Sequence, residues 1–103
     1  MAKSADRQGD DTIMESHSFT LYLTDLAEQS GWDMTPQGRA DKLLEEYAEL
    51  NYALRHGTKE QQDDESIDVL VCAWSNCISR GIVNPFFSAY LKLERNKLRD
   101  GKG

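Results

Sequence analysis

The reading of this chain turns on Glu45-Glu46-Tyr47-Ala48-Glu49, followed after a polar interruption by Glu65-Ser66-Ile67-Asp68. Glu46 and Glu49 are three residues apart, as are Glu65 and Asp68. On an α-helix that spacing puts both carboxylates of a pair on one face. Gly57 stands midway, eight residues after Glu49 and eight before Glu65, eleven after Glu46 and eleven before Asp68. A helical hairpin turning near Gly57 therefore brings the pairs level and gathers four carboxylates in one small space. Like charges so close disfavour one another's ionisation, and no Lys or Arg lies between the two acids of either pair. A divalent cation relieves them. Hard oxygen ligands suit Mg²⁺ or Mn²⁺, and Mg²⁺ typically keeps waters and substrate phosphates in its remaining positions. The competing reading is that these are ordinary exposed helix acids in an acidic chain. Mirror placement about one turn weakens it.

Working outward, Thr35 and Pro36 supply a cap and a favoured first helical position, and the second helix is expected to run to about His56. Leu43, Tyr47, Leu50 and Leu54 fall within about 60° of one another and form its apolar stripe. Leu44 and Ala48 extend it round one flank, Glu46 and Glu49 occupy the other, and Glu45 points away into solvent. Gly57 and its neighbours stop that helix. The third begins in the polar run before Glu65 and lasts to about Arg80, with Ile67, Leu70, Val71, Trp74 and Ile78 as its expected core stripe. Its other face carries Glu65, Asp68, Cys72, Ser75, Asn76 and Ser79, with no Lys or Arg among them. A water-facing side usually bears long charged residues, so this face is expected to meet protein or a pocket.

Met1 to about Thr12 is polar and charged with almost no apolar content, so residues 1–15 are expected to be an unstructured tail, leaving 16–100 as the helical domain. Phe19, Tyr22, Leu23 and Leu26 mark a first helix that Gly31 ends. Gly81 closes the third helix, and Asn84-Pro85 opens a fourth whose buried side is expected to be Phe87, Tyr90, Leu91 and Leu98. Lys92, Asn96 and Arg99 line its opposite side.

At 103 residues this is one all-α domain with a modest core, a size at which self-association is a reasonable expectation. A net charge of −6 argues against nucleic acid or an anionic membrane as a bulk electrostatic partner. Cys72 and Cys77, five apart, are separated by about 140° round a helix and do not bridge. With no signal peptide and no membrane-spanning apolar run, the cytoplasm is the default compartment.

The acidic signature, Glu45-Glu46-x-x-Glu49 and then Glu65-x-x-Asp68, resembles that of the MazG-like all-α nucleotide pyrophosphohydrolases, which include dimeric dUTPases and phosphoribosyl-ATP pyrophosphohydrolases. Trp32-Asp33 before the acidic helix and Lys92-x-x-x-Asn96-x-x-Arg99 in the last helix resemble the flanking motifs of short MazG and dCTPase-type members. The resemblance spans roughly Gly31 to Arg99. It implies a four-helix bundle completed by homo-oligomerisation, as a homodimer or homotetramer. It implies Mg²⁺-dependent hydrolysis of a nucleoside triphosphate to monophosphate and pyrophosphate, in a nucleotide-pool cleaning role. On it, Glu46, Glu49, Glu65 and Asp68 are metal ligands, and Glu46 or Glu49 is among the carboxylates that orient or deprotonate the attacking water. Lys92, Asn96 and Arg99 contact phosphate or complete the site, Lys92 catalytically; Trp32, in the loop before the acidic helix, is placed either to stack on a base or to cover the bundle end. The chain departs from some relatives at Asp100-Gly101, where they carry Tyr-Pro, and at Cys72, where dCTPase-type members carry an aromatic. Base specificity therefore does not transfer.

Two alternatives stand beside this expectation. A phosphoribosyl-ATP pyrophosphohydrolase-like enzyme shares the acid placement and takes another substrate. A non-catalytic helical interaction module would carry the same acids as surface decoration or as a regulatory metal site.

Overall fold

The computed structural model describes the backbone of residues 5–100 and the side chains of residues 15–99. Among the described residues the chain is all-α, with four helices and no strand: α1 (Ala5–Ser30), α2 (Pro36–His56), α3 (Lys59–Ser79) and α4 (Pro85–Asp100). No described helix is long and apolar enough to cross a membrane.

The element boundaries follow from local chemistry. The Thr35 hydroxyl accepts from the Gly38 N–H at 3.0 Å and Pro36 fills the first turn of α2, where a missing N–H costs nothing. Thr58 opens α3 with a full capping box, its hydroxyl accepting from Gln61 N while the Gln61 side chain accepts from Thr58 N. Between them Gly57 is required by space rather than by backbone angle, since a Cβ there would stand 2.9 Å from both Ala53 O and Gln61 Oε1. Gly31 and Gly81 adopt the left-handed conformation, at φ 68° and 82°, that ends α1 and follows α3. Asn84 Oδ1 accepts from Phe87 N to cap α4.

The tightly closed turn makes α2 and α3 the principal packed pair, and α1 lies across α3. Trp74 is the centre of that second contact, 5% exposed, meeting Phe19 and Phe86 edge-on with ring centroids 4.9 and 4.7 Å away. Its indole N–H donates to Thr20 Oγ1 at 2.9 Å, and the Thr20 hydroxyl donates onward to Val83 O at 2.8 Å. Ser16 Oγ donates to Asn84 Oδ1, which ties the start of α4 to α1 as well.

Three expectations are corrected. Helix α1 starts at Ala5, well inside the segment expected to be an unstructured tail, because extending a nucleated helix adds a backbone hydrogen bond for each residue ordered; residues 1–4 of that tail lie outside the described residues. The apolar stripes of α2 and α3 do not form the contact between them. The buried positions of α2 are Arg39, Glu46 and Ala53, and those of α3 are Cys72, Trp74 and Ser75, whereas Tyr47, Leu54, Ile67 and Leu70 are exposed. Small residues let the two backbones approach, so the small-residue face of α3 meets protein as expected; Trp74 of the α3 stripe is buried against α1 as expected, Leu43, Leu50, Val71 and Ile78 are half-buried, and the rest of the two stripes turns outward. The expected buried side of α4 is likewise exposed, Leu98 most of all, since α4 packs chiefly on α1 near its own start. The radius of gyration is 16.2 Å, against about 13 Å for a closed domain of this length.

Candidate metal centre

Because α2 and α3 meet along the face that carries Glu46, the hairpin delivers carboxylates to its own seam. One oxygen each of Glu46, Glu49 and Glu65 lies within 4.8 Å of the others. Glu46 is buried, Glu65 half-buried and Glu49 open to solvent. Three of the four acids singled out by spacing thus converge. Asp68, one turn further along α3, stands outside that group; it is exposed and lines a neighbouring cavity together with Glu46.

Two observations bear on whether these residues fit a divalent cation. Glu46 Oε2 and Glu65 Oε2 are buried with no hydrogen-bond partner among the described residues, a costly state for a carboxylate oxygen unless something binds it. The Glu49 carboxyl is held above its usual range, chiefly by its hydrogen-bonding approach to Glu46 and then by that neighbour's charge, with burial, Glu65 and Glu45 adding to it. An oxygen-only set of three carboxylates, two with unsatisfied oxygens, suits a hard cation such as Mg²⁺ or Mn²⁺.

Two cations that the acidic spacing does not announce also reach this seam. Lys42 Nζ lies 3.3 Å from Glu46 Oε1 and 3.5 Å from Glu45 Oε1, and Glu46 raises its pKa. Glu46 is therefore partly relieved by a lysine one turn earlier, and Glu45 is a solvent-exposed partner of that lysine. Arg39 is 6% exposed, with its guanidinium over the Trp32 ring at 5.1 Å. A signal for both was present: Arg39, Lys42, Glu46 and Glu49 follow one another by three, four and three residues, a single helical face.

Cavities flank the acids on two sides. One of about 350 Å³ is lined by Trp32, Arg39, Lys42, Glu46, Asp68, Val71 and Cys72. Burial and the Glu46 charge push the Cys72 thiol up, which keeps it protonated and inert. The other, about 520 Å³, has Glu49 and Glu65 at its edge with Ala48, Tyr52, Ala53 and His56 around them. The Tyr52 and His56 rings lie 4.7 Å apart. Of the flanking motif residues, Trp32 borders the first cavity, whereas Lys92, Asn96 and Arg99 on α4 line neither. Cys72 and Cys77 are free thiols.

Comparison with family models, with curated proteins and with solved structures finds no match for this chain.

Proposed function

We propose that this chain is a Mg²⁺-dependent nucleoside triphosphate pyrophosphohydrolase of MazG-like type, acting as a homo-oligomer and cleaving a (d)NTP to the monophosphate and pyrophosphate. The observation that carries the reading is the convergence of Glu46, Glu49 and Glu65 from two helices of one hairpin, with two of their oxygens buried and unpartnered. These three would hold the metal, with Asp68 beside them. A bound divalent cation supplies charge neutralisation on the phosphates and acidifies a coordinated water.

The chain's own residues account for the rest of the chemistry. Glu49 is the acid of the three that solvent water reaches, so it is the carboxylate placed to orient or deprotonate the nucleophile; Glu46, buried and tied to Lys42, is positioned as a fixed ligand. Lys92, Asn96 and Arg99 act on the phosphates in the assembled oligomer, since no α4 residue lines either cavity beside the acids in one chain. Exposed Tyr47, Leu54, Ile67, Leu70, Tyr90 and Leu98 support such an assembly, because soluble monomers seldom leave so much apolar surface in water.

Incubating the purified protein with each canonical and several damaged dNTPs plus Mg²⁺, and resolving products by anion exchange, tests the reaction. Monophosphate and pyrophosphate in equal amounts are expected. Release of orthophosphate, or no metal-dependent turnover of any nucleotide, would remove the reading.

A further inference from the structure

The cation beside the acids that lacks a carboxylate is Arg39. Its Nε donates to Asp33 O at 2.8 Å and its Nη1 donates to Ser75 Oγ at 3.3 Å. A guanidinium carries five N–H donors, and among the described residues no further protein acceptor and no carboxylate within ion-pair distance is found for it. Asp33 feels its charge, but Asp33 Oδ1 is occupied by Thr35 N at 3.0 Å and Thr35 Oγ1 at 2.7 Å. A buried cation without a counter-charge is expensive, and Arg stays ionised at any pH the protein meets. Here the charge borders an open cavity instead of solid core, and the cavity's other cation, Lys42, stands one turn on.

The guanidinium is also held in orientation. The Trp32 ring covers one face, the Asp33 carbonyl fixes the Nε edge, and Ser75 anchors the far end from α3. A planar fork so fixed is preorganised for oxyanions, which it can meet with two parallel hydrogen bonds. Charge divides the two cavities on either side of the carboxylates. The smaller holds both cations beside Glu46 and Asp68, so its charges balance; the larger is edged by Glu49, Glu65, Tyr52, His56 and alanine surface, contains no Lys or Arg and is acidic.

We propose that the Arg39 and Lys42 cavity is a pyrophosphate subsite, which takes the two terminal phosphates of the substrate from within the same chain while the nucleoside lies on the Tyr52 and His56 side. This rests on the triphosphate reading above and adds the direction in which the triphosphate runs across the acids. The phosphates that carry most of the charge, and that gain more as they leave, then face the two cations that the smaller cavity provides. Trp32 serves this subsite by holding the Arg39 fork.

The test is calorimetric titration of inorganic pyrophosphate in saturating Mg²⁺, with wild type, Arg39→Lys and Lys42→Gln, each checked for helical content. Arg39→Lys keeps the charge and removes the fork, and is expected to weaken pyrophosphate binding at least tenfold. Lys42→Gln, which alters a half-buried side chain at the cavity mouth and so keeps the test decisive if Arg39 variants fail to fold, is expected to weaken it severalfold while Mg²⁺ affinity measured alone does not fall. Pyrophosphate affinity within twofold of wild type in folded variants, or no binding by wild type, overturns the subsite. The two readings fail separately: Arg39-dependent pyrophosphate binding without nucleotide hydrolysis keeps the subsite and removes the reaction, and hydrolysis with Arg39-independent binding does the reverse.

Discussion

Lys42 Nζ approaches Glu46 Oε1 to 3.3 Å, so the carboxylate at the centre of the acidic seam already has a cation before any metal arrives. A divalent ion that takes Glu46 as a ligand competes with that lysine. Partly exposed ion pairs of this kind are worth about 0.2–1 kcal/mol, and Lys42→Gln is therefore expected to tighten Mg²⁺ binding by roughly 1.4-fold to fivefold. Isothermal titration with Mg²⁺ alone checks it; a weaker affinity in the variant would show that Lys42 helps build the metal site instead of competing for it.

Glu65 belongs to the converging triad and has a buried, unpartnered oxygen, whereas Asp68 stands outside the group and is exposed. Glu65→Gln is accordingly expected to cost Mn²⁺ affinity about tenfold or more, ~1.4 kcal/mol, and Asp68→Asn clearly less. Equal losses, read by Mn²⁺ paramagnetic titration, would place Asp68 in the ligand shell on the same footing as Glu65.

The raised pKa of Glu49 makes the metal-free protein sensitive to pH in a defined direction. A carboxyl whose folded-state pKa lies above its unfolded value of about 4.5 favours the folded state while protonated. That contribution is fully present below the unfolded value and is lost as pH rises through the folded one. In EDTA, the urea midpoint of wild type is expected to fall relative to Glu49→Gln as pH is raised from about 4.5 toward neutrality. Mg²⁺ should remove the difference by neutralising the seam, and its binding at mildly acid pH should release protons, seen as a buffer-dependent heat. A midpoint gap that does not change with pH would contradict the coupling.

Much of this was legible in the residues, and the part that was not has one cause. Thr35-Pro36, Gly57-Thr58, Gly81 and Asn84-Pro85 carry cap and stop chemistry that acts locally, so the boundaries of α2, α3 and the start of α4 could be read to within a few residues. The level placement of Glu46, Glu49 and Glu65 follows from counting about Gly57. What periodicity misassigned was which face turns inward. A stripe such as Leu43, Tyr47, Leu50 and Leu54 marks a surface that avoids water, but not which surface covers it. Here the intrachain seam is closed by Ala53, Cys72 and Ser75, whose small side chains permit close approach, with Arg39 and Glu46 between them. Arg39 and Lys42 share the helix face of Glu46 and Glu49, but a pattern of acids three apart carries no mark of the cations one turn before it.

Thr20 joins three elements through one hydroxyl, accepting from Trp74 Nε1 on α3 and donating to Val83 O before α4. Thr20→Val keeps the volume and removes both bonds, leaving a buried indole N–H and a part-buried carbonyl without protein partners. Each such loss costs about 1–3 kcal/mol, so a destabilisation of roughly 2–4 kcal/mol is expected, against a total of about 5–15 for a domain of this kind. Urea denaturation followed by the combined fluorescence of Trp32 and Trp74 measures it. A change under about 0.5 kcal/mol would mean that water replaces the hydroxyl at that junction.

The exposed apolar residues of α2 and α3 bear on assembly. Leu44, Tyr47, Leu54, Ile67 and Leu70 are all exposed on the hairpin whose opposite seam is filled by small and charged residues, so nothing within the described chain covers them. A two-fold contact buries such a surface twice with one set of residues, and it does so on the same two helices that hold the acids. The active species is therefore expected to be an oligomer, most simply a dimer, with α2 and α3 in the subunit contact. Leu54→Glu, which places a charge within the stripe and away from the carboxylate seam, should shift the mass toward one chain of 11.7 kDa while the α2 and α3 hairpin keeps its helical content. Size exclusion coupled to light scattering at micromolar concentration reads the mass, and circular dichroism reads the helix. A wild-type protein that runs as a single chain and hydrolyses nucleotide at full rate would show that one copy suffices. A dimer unaffected by Leu54→Glu but dissociated by Tyr90→Glu would move the contact to α4, whose apolar side is equally uncovered.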